Sequence, residues 1–164
     1  MMKRKALAAA LIVSAGLWPA SALAVVTCTV SSSNVAFGVY EPLTGSNLDS
    51  AGSIVIECER AAFDGNYTVP FEVTLSPSGN GSFVPRVMSS GAGILEYNIY
   101  TAASRNVVWG DGAGGTASRN GSISLPFLNF GPEETTITTY GRIPGGQFVP
   151  AGSYSDIITV TVAY

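Results

Sequence analysis

Beyond its first two dozen residues the chain alternates apolar and polar positions with a period of two, interrupted at short intervals by glycine, proline, asparagine and serine. Such alternation puts every second side chain on one face of an extended strand. No stretch after residue 24 sustains the i, i+3, i+4, i+7 spacing of an amphipathic helix, so the pattern predicts an all-β domain. Strands are expected at 27–30 with 34–37, then at 53–59, 68–76, 83–88, 95–101, 107–109, 121–130, 135–142 and 152–164. Pro70 and Pro126 place their segments at edges or bulges, since proline cannot donate to a ladder. Turns are expected at Ser78-Gly79-Asn80-Gly81, Ser90-Gly91-Ala92-Gly93, Asp111-Gly112-Ala113-Gly114-Gly115 and Pro144-Gly145-Gly146. Short strands at this spacing suggest a β-sandwich.

The final run is the most regular, with Ile158, Val160, Val162 and Tyr164 falling on one strand face. A terminal apolar strand is either an ordinary core strand or one whose edge is left for a partner, because a sheet edge presents unpaired N–H and C=O groups.

The opening differs from everything after it. Lys3, Arg4 and Lys5, the apolar stretch from Ala6 to Val13 with Leu17 and Trp18, and Ala22-Leu23-Ala24 make a secretory signal over residues 1–24, with cleavage after Ala24 or, failing that, Ala22. Residues 25–164 then form a single domain. No later stretch approaches the ~20 apolar residues of a bilayer span. Losing the signal removes three cations and leaves five arginines against eleven acids, a formal charge of −6, with no lysine and no histidine. Nucleic acid is a poor partner for such a chain. Cys28 and Cys58, bound for an oxidising compartment, are expected to form a disulfide.

Chemistry is scarce. Without histidine or mature lysine there is no His-assisted nucleophile, no lysine nucleophile and no His-ligated metal. The acid pairs Glu57/Glu59 and Glu133/Glu134 could serve a glycosidase in principle, but surface acids usually just face water. Asp111 lacks the ligand loop of a calcium site and reads as a turn acid, and the glycines after it lack the Lys-Ser/Thr of a phosphate loop. No catalytic residue, metal ligand or cofactor is expected. Trp109, Tyr100 and Tyr140, beside glycine-rich loops, are candidate glycan contacts, with core packing as the plainer reading.

Several spaced segments carry a family resemblance: Cys28, Phe37-Gly38-Val39-Tyr40-Glu41-Pro42, Cys58, Arg86-Val87-Met88, Leu95-Glu96-Tyr97-Asn98-Ile99-Tyr100, Val108-Trp109-Gly110-Asp111-Gly112, Tyr140-Gly141-Arg142-Ile143 and Ala151-Gly152-Ser153-Tyr154-Ser155-Asp156. Together and in this order they resemble the spore coat U domain family, which includes subunits of archaic chaperone-usher pili. The resemblance implies an immunoglobulin-like β-sandwich lacking its final strand, held by a periplasmic chaperone, passed to an outer-membrane usher and completed by a strand from a neighbouring pilus subunit. It implies a secreted protein that passes through the periplasm to a cell-surface fimbria. It also assigns Ile158, Val160, Val162 and Tyr164 to the strand bordering the acceptor groove.

Polymerising members carry a donor extension of a dozen or more residues before the first cysteine. Here cleavage after Ala24 leaves Val25, Val26 and Thr27, a reach of roughly 10 Å. The expectation is therefore a strand acceptor that does not donate, such as a tip or capping subunit, though a tip adhesin would be expected to carry a second, receptor-binding domain. The alternatives are a self-contained coat protein or carbohydrate-binding adhesive module and, less simply, a carboxylate hydrolase.

Overall fold

The computed structural model describes residues 26–60, 65–91, 93–129 and 131–164. The signal expected over 1–24, with its expected cleavage sites, lies outside them. The described residues form eight strands and a short 3-10 turn at Pro42–Thr44: β1 (Val26–Ser32), β2 (Leu48–Arg60), β3 (Tyr67–Leu75), β4 (Arg86–Ser90), β5 (Gly93–Tyr100), β6 (Arg119–Leu125), β7 (Glu133–Ile143) and β8 (Val160–Ala163). All pairings are antiparallel and make two sheets, one in the order β1-β2-β7-β5-β4 and one in the order β6-β3-β8. The chain is thus an all-β sandwich of the immunoglobulin-like kind.

Alternation decides what lies between the sheets. Ile54, Ile56 and Cys58 of β2, Val69, Phe71, Val73 and Leu75 of β3, Leu95, Tyr97 and Ile99 of β5, Ile123 and Leu125 of β6, and Ile137 and Ile143 of β7 are all buried. Trp109 is fully buried, its indole N–H donating to the Val73 carbonyl at 3.0 Å and its backbone N–H to Ile99 at 2.9 Å. It ties one sheet to the other. Cys28 and Cys58 face each other across β1 and β2 and are bridged, with Cα atoms 4.1 Å apart.

Four expectations are corrected. Of the strand foreseen at 152–164, Val160–Ala163 joins a ladder. Before it, Ser155 bridges Ser89 beside β4 and Thr159 accepts the Ser76 N–H at 2.9 Å, so 155–159 cross from the larger sheet to the smaller. Residues 34–37 pair with no strand; they lie over Gly141, where an added Cβ would come within 2.6 Å of Val35 and 2.7 Å of Phe37. Residues 107–109 form isolated bridges, to Tyr100 and Ala117. Finally, Pro70 sits in β3, the central strand of its sheet. Even-numbered residues of β3 point their backbone groups toward β8, as Ser76 does, and the pairing with β8 stops at Glu72. The missing donor of Pro70 therefore falls beyond the ladder.

Candidate functional site

The core is open along the seam between β1 and β8. Inward side chains of the strands beside them are buried, Val73 at 0% and Leu75 at 3% exposure. Ile158, Val160 and Val162 are half-buried, as are Val26 and Cys28 of β1, and Val30 is 43% exposed. Each pair of rows differs by one thing, a neighbouring strand.

Backbone polarity follows the same line. Successive residues of an antiparallel strand turn their N–H and C=O groups to alternate sides. The Ser76–Thr159 bond fixes the odd-numbered residues of β8 toward β3, so Ile158, Val160 and Val162 turn theirs to the free edge. In β1 the Ser33 N–H reaches Ser53 at 2.8 Å, which leaves Val26, Cys28 and Val30 facing away from β2 and into the seam. At one end Tyr164 spans the gap, its hydroxyl 3.4 Å from the Cys28 N–H and 3.5 Å from the Cys28 carbonyl.

Beneath the seam lies a trough. One cavity, about 470 Å³, is lined by Val35, Phe37, Ile54, Leu75, Ile158 and Val160 among others. A second, about 650 Å³, is lined by Val39, Leu95, Ile143 and Val149 and shares Val35, Phe37, Met88 and Tyr154 with the first. The two are parts of one apolar channel. Its floor is the larger sheet and its walls are the unpaired 34–37 segment on one side and 154–160 on the other.

A buried polar clamp holds the second wall. The Tyr97 hydroxyl donates to Asp156 Oδ2 at 2.7 Å, and Asp156 Oδ1 accepts the Ile157 N–H at 2.9 Å and the Gly79 N–H at 3.4 Å. Burial and then the bond to Asp156 push the Tyr97 hydroxyl far above its ordinary pKa. Arg86, opposite Tyr97 in the β4–β5 ladder, is fully buried and donates to the Ser76 carbonyl at 2.9 and 3.2 Å and to the Trp109 carbonyl at 2.8 Å. Its pKa is lowered by burial and sustained by Tyr97 and Asp156.

The other sequence candidates lie apart from the trough. Trp109 belongs to the core and, with no exposed surface, offers no glycan contact. Tyr100 and Tyr140 are cross-strand partners, partly exposed, with Arg105 5.8 Å from the Tyr140 ring centroid. Glu57 stands opposite Glu134 in the β2–β7 ladder on an exposed face, and the cavities described here are lined without either. Glu133 and Glu134 open β7. Asp111 accepts the Ala113 N–H at 2.9 Å and the Thr116 hydroxyl at 3.2 Å, the bonds of a turn. Among the described residues no group of acids and cysteines is placed to hold a metal ion.

Sequence reasoning missed Val35, Phe37 and Tyr154 as trough residues, and Arg86, Tyr97 and Asp156 as a clamp. Alternation at 34–37 was a usable signal, but nothing local marks an arginine for burial.

The family model for the Spore Coat Protein U domain matches residues 15–161. The chain belongs to that family. Within the spore coat U family it is similar to Protein U of Myxococcus xanthus, 29% identical over 137 residues, covering 78% of this chain and 70% of that protein. Among solved structures it is similar to a chain of the CsuC–CsuE chaperone–tip adhesion subunit pre-assembly complex from archaic chaperone-usher Csu pili of Acinetobacter baumannii. The TM-score is 0.51 at 23% identity, over 85% of this chain and 40% of that one. That likeness is one of fold, and this spore coat U chain spans well under half of its neighbour.

Proposed function

We propose that this chain is a non-enzymatic structural subunit of a surface pilus of the archaic chaperone-usher type, and that it accepts a strand along the β1–β8 seam. The carrying observation is the coincidence, on one line, of half-buried apolar side chains and unpaired backbone groups at Ile158, Val160 and Val162. A guest strand alongside β8 would bond these backbone groups, and its alternate side chains would fill the trough above Ile54, Leu75 and Met88. Ladder bonds give affinity that is indifferent to sequence, while the trough sets register. In the periplasm the guest is a chaperone strand, and after assembly through the usher it is a neighbouring subunit's. Tyr164, whose hydroxyl contacts with Cys28 are long, is the movable closure at one end of the seam.

The test is expression in a periplasm with and without the chaperone encoded beside it. A chain recovered only as a one-to-one complex, and released from it by a synthetic donor peptide, supports strand acceptance. A stable monomer with amides of Ile158, Val160 and Val162 protected from exchange would mean that the sandwich completes itself, as a coat protein would.

A further inference from the structure

A second opening lies on the other side of the sandwich, between β6 and β7. β5 pairs with β7 at Tyr140–Arg142 and then turns away at Thr101. Even-numbered residues of β7 face β5, so Thr136 and Thr138 are left with their backbone N–H and C=O groups toward an absent neighbour. In β6 the odd-numbered residues face β3, which leaves Asn120 and Ser122 turned outward in the same way. Between them is a cleft of about 390 Å³, and the 101–103 loop closes one end.

Its lining is unlike the trough. Thr101, Asn120, Ser122, Thr136 and Thr138 bring hydroxyl and amide groups, and Arg119 is the one charged residue among the described residues that line it. Phe71 lies directly under the β6 backbone at Gly121, where an added Cβ would come within 2.4 Å of the ring. Tyr140 supplies a second, partly exposed aromatic. Arg119 bonds the Thr101 carbonyl and stands 5.9 Å from the Trp109 ring centroid, and among the described residues no carboxylate lines the cleft to neutralise it.

A peptide strand is a poor occupant. Intercalating one between two others requires two ladder spacings, about 9.6 Å, whereas Cα atoms of β6 and β7 approach within 8 Å. A pyranose ring, edged with hydroxyls, can instead lie in the mouth of the cleft without parting the strands and use the donors and acceptors presented there. From this we infer that the β6–β7 cleft is a carbohydrate-binding site for one or two pyranose rings, with Arg119 favouring a sugar that carries a carboxylate. The site is separate from the β1–β8 seam and stands or falls independently of strand acceptance.

The experiment is a titration of the ¹⁵N-labelled mature chain, in complex with unlabelled chaperone where that is its soluble form, with methyl glucoside, methyl galactoside and their uronate counterparts. Amides at 101–103, 119–122 and 135–138 should shift, with millimolar affinity and the uronates ahead. Thr138→Val and Asn120→Ala should each weaken binding about fivefold, the loss of one hydrogen bond, and Arg119→Ala should erase the uronate preference. Thr138 and Asn120 are exposed, so the inference remains testable if the arginine variant fails to fold. No shift up to about 20 mM sugar, well above a millimolar dissociation constant, overturns the inference. So do shifts confined to 154–164, or capture by these amides of a Thr-Val peptide in place of any sugar.

Discussion

Replacing Val160 by aspartate separates a strand-accepting seam from an ordinary sheet edge. Val160 and Thr161 are neighbours in β8, opposite Leu75 and Thr74 of β3. Their side chains point oppositely, Val160 half-buried over the trough and Thr161 into solvent. Full burial of a valine is worth about 1.5–3 kcal/mol, and a guest strand would complete roughly the half not yet realised, about 1 kcal/mol. Val160→Asp forfeits that and also obliges the guest to cover a carboxylate with no partner, which adds about 2 kcal/mol or more even when water is partly retained. The sum of about 3 kcal/mol corresponds to roughly a hundredfold weaker capture. Thr161→Asp, on the open face, should change capture by less than about threefold.

Both variants would be co-expressed with the chaperone, and complex formation quantified by size-exclusion chromatography and by dissociation constant. Val160→Ala provides a milder check, losing about 1 kcal/mol without introducing charge. Equal binding of the Val160→Asp and parent chains, or equal loss in Thr161→Asp, would refute the assignment of the guest strand to this edge.

Other outcomes follow from the same structure. Reducing the disulfide, or replacing Cys28 and Cys58 by serine, should cost about 3–4 kcal/mol by the loop-closure estimate for residues 30 apart, seen as a lower denaturation midpoint. Trp109→Ala should cost about 3–5 kcal/mol, because a fully buried indole that bonds Val73 leaves both a void and an unpaired carbonyl; chemical unfolding monitors it. Folding holds Tyr97 protonated above its unfolded pKa, so its contribution is complete below about pH 10 and is lost as pH rises beyond that, where the unfolded tyrosine ionises. The fall in melting temperature above pH 10 should therefore be shallower in Tyr97→Phe, which also frees Asp156 and loosens the 154–160 wall. Mass spectrometry of the exported chain should find Val25 at its N terminus.

The period-two pattern by itself determined the all-β class, because alternation fixes which side chains can share a core whatever the order of the strands. The cysteine pair was equally legible, since two thiols behind an expected export signal leave little other chemistry. So was the inward face of Ile158, Val160 and Val162. Pairing was not legible, being set by contacts between residues far apart in sequence: that β3 is central despite Pro70, that 34–37 leaves the ladder to lie over Gly141, and that 155–159 crosses between sheets. Nor could local pattern show which strands would lack a neighbour. Alternation says only that Val160 points inward. The arrangement of eight strands in two sheets decides that no described strand lies beside it, and that β5 turns away from β7 to open a polar cleft where Thr136 and Thr138 look like surface residues in the sequence.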